Sequence, residues 1–382
     1  MAEELASGTP FGQQVARERK RRKWTQRTLE EKSGLDHIRI HRIETDPERP
    51  ISFEDVMRLA AAFGVPASWL VRGGEMRSRI LAAARTASDA DAEDAVDRVV
   101  HILELADQLA VVSPEHASPP PTLKEIPRGT TPPRTGGRQA ADAFRTLTGT
   151  PSGPLDDLPS FIESHTQIYV AIDQFPQSVD GLALRDPETG LALIAANSWL
   201  SWERQRFTLA HELGHLLAGE LAIEAVTAGG TGPRSEQAAH EFARNVLVPI
   251  HDLQDRSQQL GVPWTAAEAA AIAWEYRVSP AVIGIQLERA GLGTATLTRQ
   301  LSGATAETWS HLGGWAPSRD SLAASAKSRR IPPTLAASAR RAWQDRRIPT
   351  ATLGRLLGLD TDEVEALLRQ VGVKQVKIQA IE

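Results

Sequence analysis

The 382-residue sequence predicts a multidomain, mainly α-helical chain with one α+β region. It comprises a five-helix N-terminal bundle, an α+β middle domain with a small sheet, and a helical C-terminal domain. Three features point there. Apolar residues recur at helical spacing in short blocks over 15–63, strand-like runs flank the turn DPETG at 186–190, and a stretch rich in Pro, Thr and Gly at 113–137 separates the two patterns.

In the N-terminal bundle, 1–74, the apolar positions are Val15, Leu29, Ile40, Ile43, Val56, Leu59 and Phe63. Gly34 sits in a tight turn between two blocks, and Asp36 can cap the next helix. Over 75–112 an acidic helical pattern follows, with Val96, Val99, Val100, Leu103 and Ala106 forming one stripe. That stripe serves either packing onto a neighbouring domain or a homodimer seam. Residues 113–137 read as a semi-rigid linker.

The middle domain, 138–300, opens with a helix. Strand patterns follow at QIYVAI (167–172), GLALR (181–185) and LALIAAN (191–197), which suggest a small meander. Helices are expected around 199–218, 236–247, 266–275 and 279–290. The C-terminal domain, 301–382, carries an echo of the first: WTQRTLEEKSGLD (24–36) and IPTATLGRLLGLD (348–360) share Thr, Leu, Gly, Leu and Asp in register. Either a helix-turn-helix is duplicated, or two capped helices share ordinary grammar.

Composition narrows the function classes. Cysteine is absent, which excludes disulfide scaffolds, thiolate zinc sites and a cysteine nucleophile, and suits a reducing, cytoplasmic compartment. No apolar run approaches the roughly 18 residues of a membrane helix, so a membrane location is not expected. The net charge of −5 hides basic ends around an acidic middle, a pattern of modules in which some segments suit polyanions.

The segment RQRFTLAHELGHLLAG (204–219) contains His211-Glu212-Leu213-Gly214-His215. Residues four apart on a helix share a face, so both imidazoles project together. Two neutral nitrogens at that spacing suit Zn²⁺, and Glu212 on the adjacent flank can take a proton from an attacking water. The alternative is a histidine pair hydrogen-bonded at a helix surface. In the next helix, SEQAAHEFARNVLVP (235–249), Ser235 is a candidate cap, Glu236 and His240 share a face, and Ala239 and Ala243 admit a close neighbour. Glu236 is either a third ligand or an acid complementing the helix dipole.

These residues resemble the ImmA/IrrE-type metallopeptidases, intracellular zincins that cleave repressor proteins. RFTLAHELGH at 206–215 follows the family pattern without a mismatch, and EQAAHEFARNVLVP at 236–249 follows its second pattern. The resemblance spans about 160 residues. It implies His211, His215 and Glu236 as ligands of zinc, with manganese as an alternative, and Glu212 as catalytic base. His240 replaces the family's usual Asn and is assigned to hydrogen-bonding a ligand. Val246 and Val248 replace Leu and Met as ordinary core changes. Candidates for a further transition-state donor are Tyr169, Tyr276 and His240.

RERKRRKWTQRTLEEKSGLDHIRIHRIE (17–44) resembles the XRE-type helix-turn-helix family, over about 60 residues. The resemblance implies a double-stranded DNA operator as partner, with the helix after Asp36 in the major groove. Ile40 and Ile43 face the core and leave His37, Ile38, Arg39, His41 and Arg42 outward. Gln26 is positioned for phosphate or base, and the basic run holding Arg21 and Arg22 for phosphate attraction. The acidic residues Asp360, Asp362, Glu363 and Glu365 argue against DNA reading by the C-terminal echo.

The expected function is a DNA-binding regulator with a zinc-dependent endopeptidase that cleaves a repressor or other partner protein. Alternatives are a regulator whose zincin-like domain senses metal or ligand with little hydrolysis, and a phage or toxin–antitoxin-type repressor cut in its own linker.

Overall fold

A computed structural model describes residues 11–46, 51–65, 67, 70–71, 76–80, 90–114, 132–219 and 233–371. The expected linker falls largely outside them. The protein is mainly helical around one three-stranded sheet.

The N-terminal bundle contains α1 (Phe11–Arg21), α2 (Gln26–Ser33), α3 (His37–Thr45) and α4 (Phe53–Phe63). Of the expected fifth helix, only residues 67 and 70–71 are described, and they are helical. Local chemistry sets each boundary. The Thr25 hydroxyl accepts from Thr28 N to start α2, and Gly34 ends it in the left-handed region at φ 69°. Asp36 then accepts from Arg39 N to start α3. Val15, Leu29, Ile40, Ile43, Leu59 and Phe63 close one core.

The sheet consists of β1 (Tyr169–Asp173), β2 (Gly181–Arg185) and β3 (Ala192–Asn197), in the order β1-β3-β2. β2 and β3 pair antiparallel, with Ala183 opposite Ile194, whereas β1 runs parallel to β3, with Ala171 opposite Ala195. The expected meander is therefore incorrect. β3 is buried along its whole length and takes the centre, so the chain after β1 crosses to the far edge before returning. Asn197 secures that crossing: its Nδ2 donates to the carbonyls of Phe175, Pro176 and Val179, and its Oδ1 accepts from Phe175 N.

Strand alternation sends side chains to two separate cores. Val170, Ala183, Ala192, Ile194 and Ala196 pack against helices that follow one another closely in sequence. These are α6 (Pro133–Leu147), α7 (Leu158–Thr166), α8 (Trp202–Leu217), α9 (Pro233–Leu247), α10 (Ile250–Leu260), α11 (Ala266–Glu275), α12 (Pro280–Arg289) and α13 (Ala295–Gly303). Their boundaries bring three corrections. Helix α6 begins inside the expected linker, because Pro133 suits a first turn and Gly137 lies where a Cβ would stand 2.3 Å from the Ala238 carbonyl oxygen. Helix α9 begins before Ser235, which is therefore not its cap. Helices α7 and α10 were not expected at all.

On the opposite face, Tyr169, Ala171, Leu182, Leu184, Leu193 and Ala195 meet α5 (Ala90–Val112) and the C-terminal helices α16 (Pro333–Gln344), α17 (Thr350–Leu357) and α18 (Thr361–Gln370). The apolar stripe of α5 is buried there, which accounts for it by packing within the chain. Arg330 joins the outer edge of β1, exchanging backbone hydrogen bonds with Ile172. Between the two groups, α14 (Ala306–Gly313) and α15 (Ala316–Ala326) stay with the first face: Leu301 and Trp309 pack in its core, and Arg319 reaches Glu203. The segment from residue 301 onward thus divides between both faces. Among the described residues, no helix is long and apolar enough to cross a membrane.

Candidate metal centre and nucleic-acid interface

Helix α8 is capped by Ser201, which accepts from Arg204 N, and is buried from Thr208 through Leu217. Two glycines set how closely its neighbours approach. A Cβ on Gly214 would stand 2.9 Å from the Phe242 ring of α9, and one on Gly181 of β2 would stand 2.3 Å from Thr208 Cγ2. Helix α8 is thereby pressed between sheet and α9, with Ala239 and Ala243 of α9 fully buried at the contact.

That sandwich brings three donors together. His211 Nε2 and His215 Nε2 lie 3.1 Å apart. Glu236 reaches across from α9, its Oε2 3.4 Å from His211 Nε2 and its Oε1 3.3 Å from His215 Nε2. Metal–nitrogen bonds of about 2.0–2.1 Å imply donor separations of roughly 3.3 Å in a tetrahedral site. The three distances, 3.1, 3.4 and 3.3 Å, lie near that value, with a different Glu236 oxygen facing each imidazole. Burial lowers the His211 pKa against the opposing hydrogen bond of Glu236, favouring the neutral, ligating imidazole. Glu212, 1% exposed, faces the sheet beside the triangle.

His240 lies next to this group, its ring centroid 4.5 Å from that of His211. His211, Glu236 and His240 form a second, wider candidate metal group, with donor atoms within 4.8 Å of one another. The His240 Nδ1, however, lies 2.8 Å from the Glu236 carbonyl oxygen. A carbonyl only accepts, so Nδ1 carries the proton and donates, one turn back along its own helix.

A cleft of about 610 Å³ opens against His211 and His240. Phe207, Val282 and Ile285 give it apolar walls, and Asp180, Arg204 and Arg319 its charged rim. Of the expected extra donors, only His240 lines it. Tyr169 is buried on the opposite face of the sheet. The Tyr276 hydroxyl donates to Asp252 Oδ2 at 2.9 Å, and burial with that carboxylate raises its pKa. The cleft arginines carry little signal in the sequence. Arg244 lies one turn beyond His240 on α9 and was open to a helical-face argument, whereas Arg319 is separated from the motif by about a hundred residues and gave no signal. Arg206, within the motif, is structural: it donates to the Asp156 and Arg277 carbonyls at 2.8 and 2.9 Å.

Two family matches accompany this geometry. Residues 165–288 match the family described as IrrE N-terminal-like domain, and residues 15–70 match that described as Helix-turn-helix. One chain carries both an XRE-type helix-turn-helix and an IrrE/ImmA-like peptidase segment. No curated protein matches the sequence. The IrrE-like match spans His211, His215 and Glu236, so the metallopeptidase-like region and the candidate centre coincide.

In the helix-turn-helix, α3 exposes His37, Ile38, Arg39, His41 and Arg42, while Ile40 and Ile43 are buried. Arg39 is partly engaged: it donates to Asp55 Oδ2 at 2.8 Å, joining α3 to α4. Gln26 is held at the start of α2 by Glu44, which also takes both prongs of Arg19 at 2.7 Å. The expected phosphate role of Arg21 and Arg22 needs correction. Both donate to buried Glu18, and Arg22 also donates to the Phe63 carbonyl at 2.6 Å. Burial alone would push Glu18 up, but Arg21, Arg22 and Arg355 together hold it well below the ordinary carboxylate range. Two arginines of the basic run thus line a packed interface, while Lys20 and Lys23 stay exposed.

Proposed function

We propose that the protein is a cytoplasmic DNA-binding regulator whose IrrE-like region is a zinc-dependent endopeptidase acting on a repressor or other partner protein. DNA contact is assigned to the region up to residue 74, and hydrolysis to 138–300. The observation that carries the reading is the grouping of His211, His215 and Glu236 with Glu212 buried beside it, and a cleft that opens against His211. A purely structural ion needs no such carboxylate.

The donor set of two imidazoles and one carboxylate fits zinc, and accepts manganese. A bound divalent ion there supplies Lewis-acid polarisation of the scissile carbonyl and of a water. The chain's own groups do the rest. His211, His215 and Glu236 would hold the ion. Glu212 accepts the water proton and returns it to the leaving amine. His240 donates to the Glu236 main chain, which positions the turn that presents the Glu236 carboxylate. The apolar cleft walls accept side chains of an extended substrate, and the cleft arginines orient its carbonyls.

The Glu212→Gln protein tests this. It keeps size and most hydrogen bonding but loses the proton acceptor, so cleavage of the partner should fall about 10²–10⁴-fold while metal and DNA are bound as before. Mass-spectrometric mapping of new termini in the proteins encoded beside it reads the result, and equal cleavage by both proteins would end the enzyme assignment. On the DNA side, Arg42 is exposed on α3, and its side chain makes no hydrogen bond or ion pair among the described residues. Arg42→Ala should cost about 1–3 kcal/mol in discrimination between operator and unrelated duplex. A uniform loss across all sequences would make Arg42 a phosphate contact instead.

A further inference from the structure

Helices α1, α2 and α4 of the helix-turn-helix face α17 and α18 across a second cavity, with α5 along one wall. Its volume is about 600 Å³, within the range of small-molecule sites. Seven lysine and arginine side chains line it against three aspartates. Behind them, one buried carboxylate serves three guanidiniums: Glu18 accepts from Arg21 and Arg22, and lies 3.9 Å from Arg355. Of these cations Arg355 is buried, and the Glu18 charge it approaches is shared with Arg21 and Arg22, so an added anion is stabilised beside it.

A second observation points the same way. His101 lines the cavity and is only 4% exposed, yet neither ring nitrogen has a hydrogen-bond partner among the described residues. Burial and the charges of Arg21, Arg329 and Arg355 lower its pKa, so the imidazole is neutral and has one N–H to donate. Buried polar groups are rarely left in that state without a ligand or water to complete them. On the cavity wall, Trp24 and Phe63 stack at 5.8 Å and add aromatic surface.

We propose that this cavity binds a phosphorylated small molecule of nucleoside di- or triphosphate class, its phosphates among Arg98, Arg329, Arg355 and His101 and its ring against Trp24. A DNA backbone is the less suitable occupant, because none of the exposed α3 residues lines the cavity. The site joins the DNA-binding bundle to the C-terminal helices, so its ligand stabilises that interface. By linkage, any effect on operator affinity is matched by an equal effect of operator on ligand affinity.

The test is equilibrium dialysis and calorimetry on the full chain in about 0.15 M salt, where loose surface attraction is screened. The probes are ATP, GTP, inorganic triphosphate and adenosine. ATP or GTP should bind saturably, with adenosine and inorganic triphosphate each weaker by about tenfold or more. Arg98 lies on an exposed helix face, paired among the described residues with Asp94 one turn away, so Arg98→Glu should retain the fold while weakening ATP about tenfold. Ligand should also shift the His101 imidazole resonances, whereas Glu212→Gln should bind as the native chain does. No saturable binding by any phosphate probe, unchanged binding by Arg98→Glu, or inorganic triphosphate equal to ATP would each overturn the assignment. So would stoichiometric displacement of ATP by random duplex DNA, which would give these cations to the DNA backbone.

Discussion

The two faces of the small sheet are built in different ways. The face under α8 and α9 is assembled from a run of neighbouring segments, and its chemistry sits in two short motifs. The face under α5, α16 and α17 draws on residues from 76 to 364, and carries neither motif. Yet the second face is the one that reaches the DNA-binding bundle: Thr352 donates to the Gly64 carbonyl, and Ala351 lies against Gly64 so closely that a Cβ there would clash. Catalytic chemistry needs a few donors at fixed spacing, which a helix supplies locally. Holding two modules in one body needs area, which can come from anywhere in the chain.

Perturbing one face at a time tests that division. The largest effect is expected from His215→Ala, which removes one corner of the metal triangle. Metal affinity should fall by more than the roughly 10–100-fold typical of losing an outer partner, with operator affinity unchanged. Elemental analysis with a DNA titration reads both, and a parallel loss of DNA binding would show that the faces are not separable. Next is Leu103→Ala in α5, fully buried on the opposite face. It should cost about 2–5 kcal/mol in denaturant unfolding. Metal affinity of the folded protein should remain, and a protein that folds but no longer holds metal would contradict the comparison.

The smallest effect depends on pH. Burial raises the pKa of Glu104, on α5, from an ordinary 4.5 to about 7. A carboxyl whose folded pKa is raised contributes its full stability below the unfolded value, and loses it as pH rises through the folded one. Glu104→Gln should therefore match the native chain near pH 4.5, then gain on it up to pH 7, approaching about 3 kcal/mol at most above that. A flat difference across this range would place Glu104 in a wetter environment.

The helix pairs α2–α3 and α17–α18 show how far local reading extends. Each places a left-handed glycine after its first helix, Gly34 at φ 69° and Gly358 at φ 71°, and an aspartate cap before its second. That shared register was visible at 24–36 and 348–360. What differs is the outer face: α3 exposes His37, Arg39 and Arg42, whereas α18 presents Asp362, Glu363 and Glu365. The grouping of candidate donors was equally legible, since His211 and His215 share a helix face and Glu236 follows in the second motif. The meander expectation failed because strand order depends on which strand is buried on both faces, and three short apolar runs do not say. Tyr169 and Tyr276 failed as cleft donors for a related reason: a tyrosine in an apolar stretch gives no sign of which core receives it.

By itself, the sequence determined what a single helix or turn controls. Backbone caps and hydrogen bonds within a few residues set the boundaries of α2, α3 and α18, and four-residue spacing set the common face of His211 and His215. The tertiary structure alone decided where charge is spent. Arg21 and Arg22 belong to a basic run suited to phosphate, but Glu18, Phe63 and the distant Arg355 converge on them and turn them inward. His101 reads as one more polar residue on an acidic helix, and becomes buried among arginines contributed by three other parts of the chain. Periodicity encodes which side of a helix is apolar, whereas the partner of a buried charge is set by which distant segment folds against it.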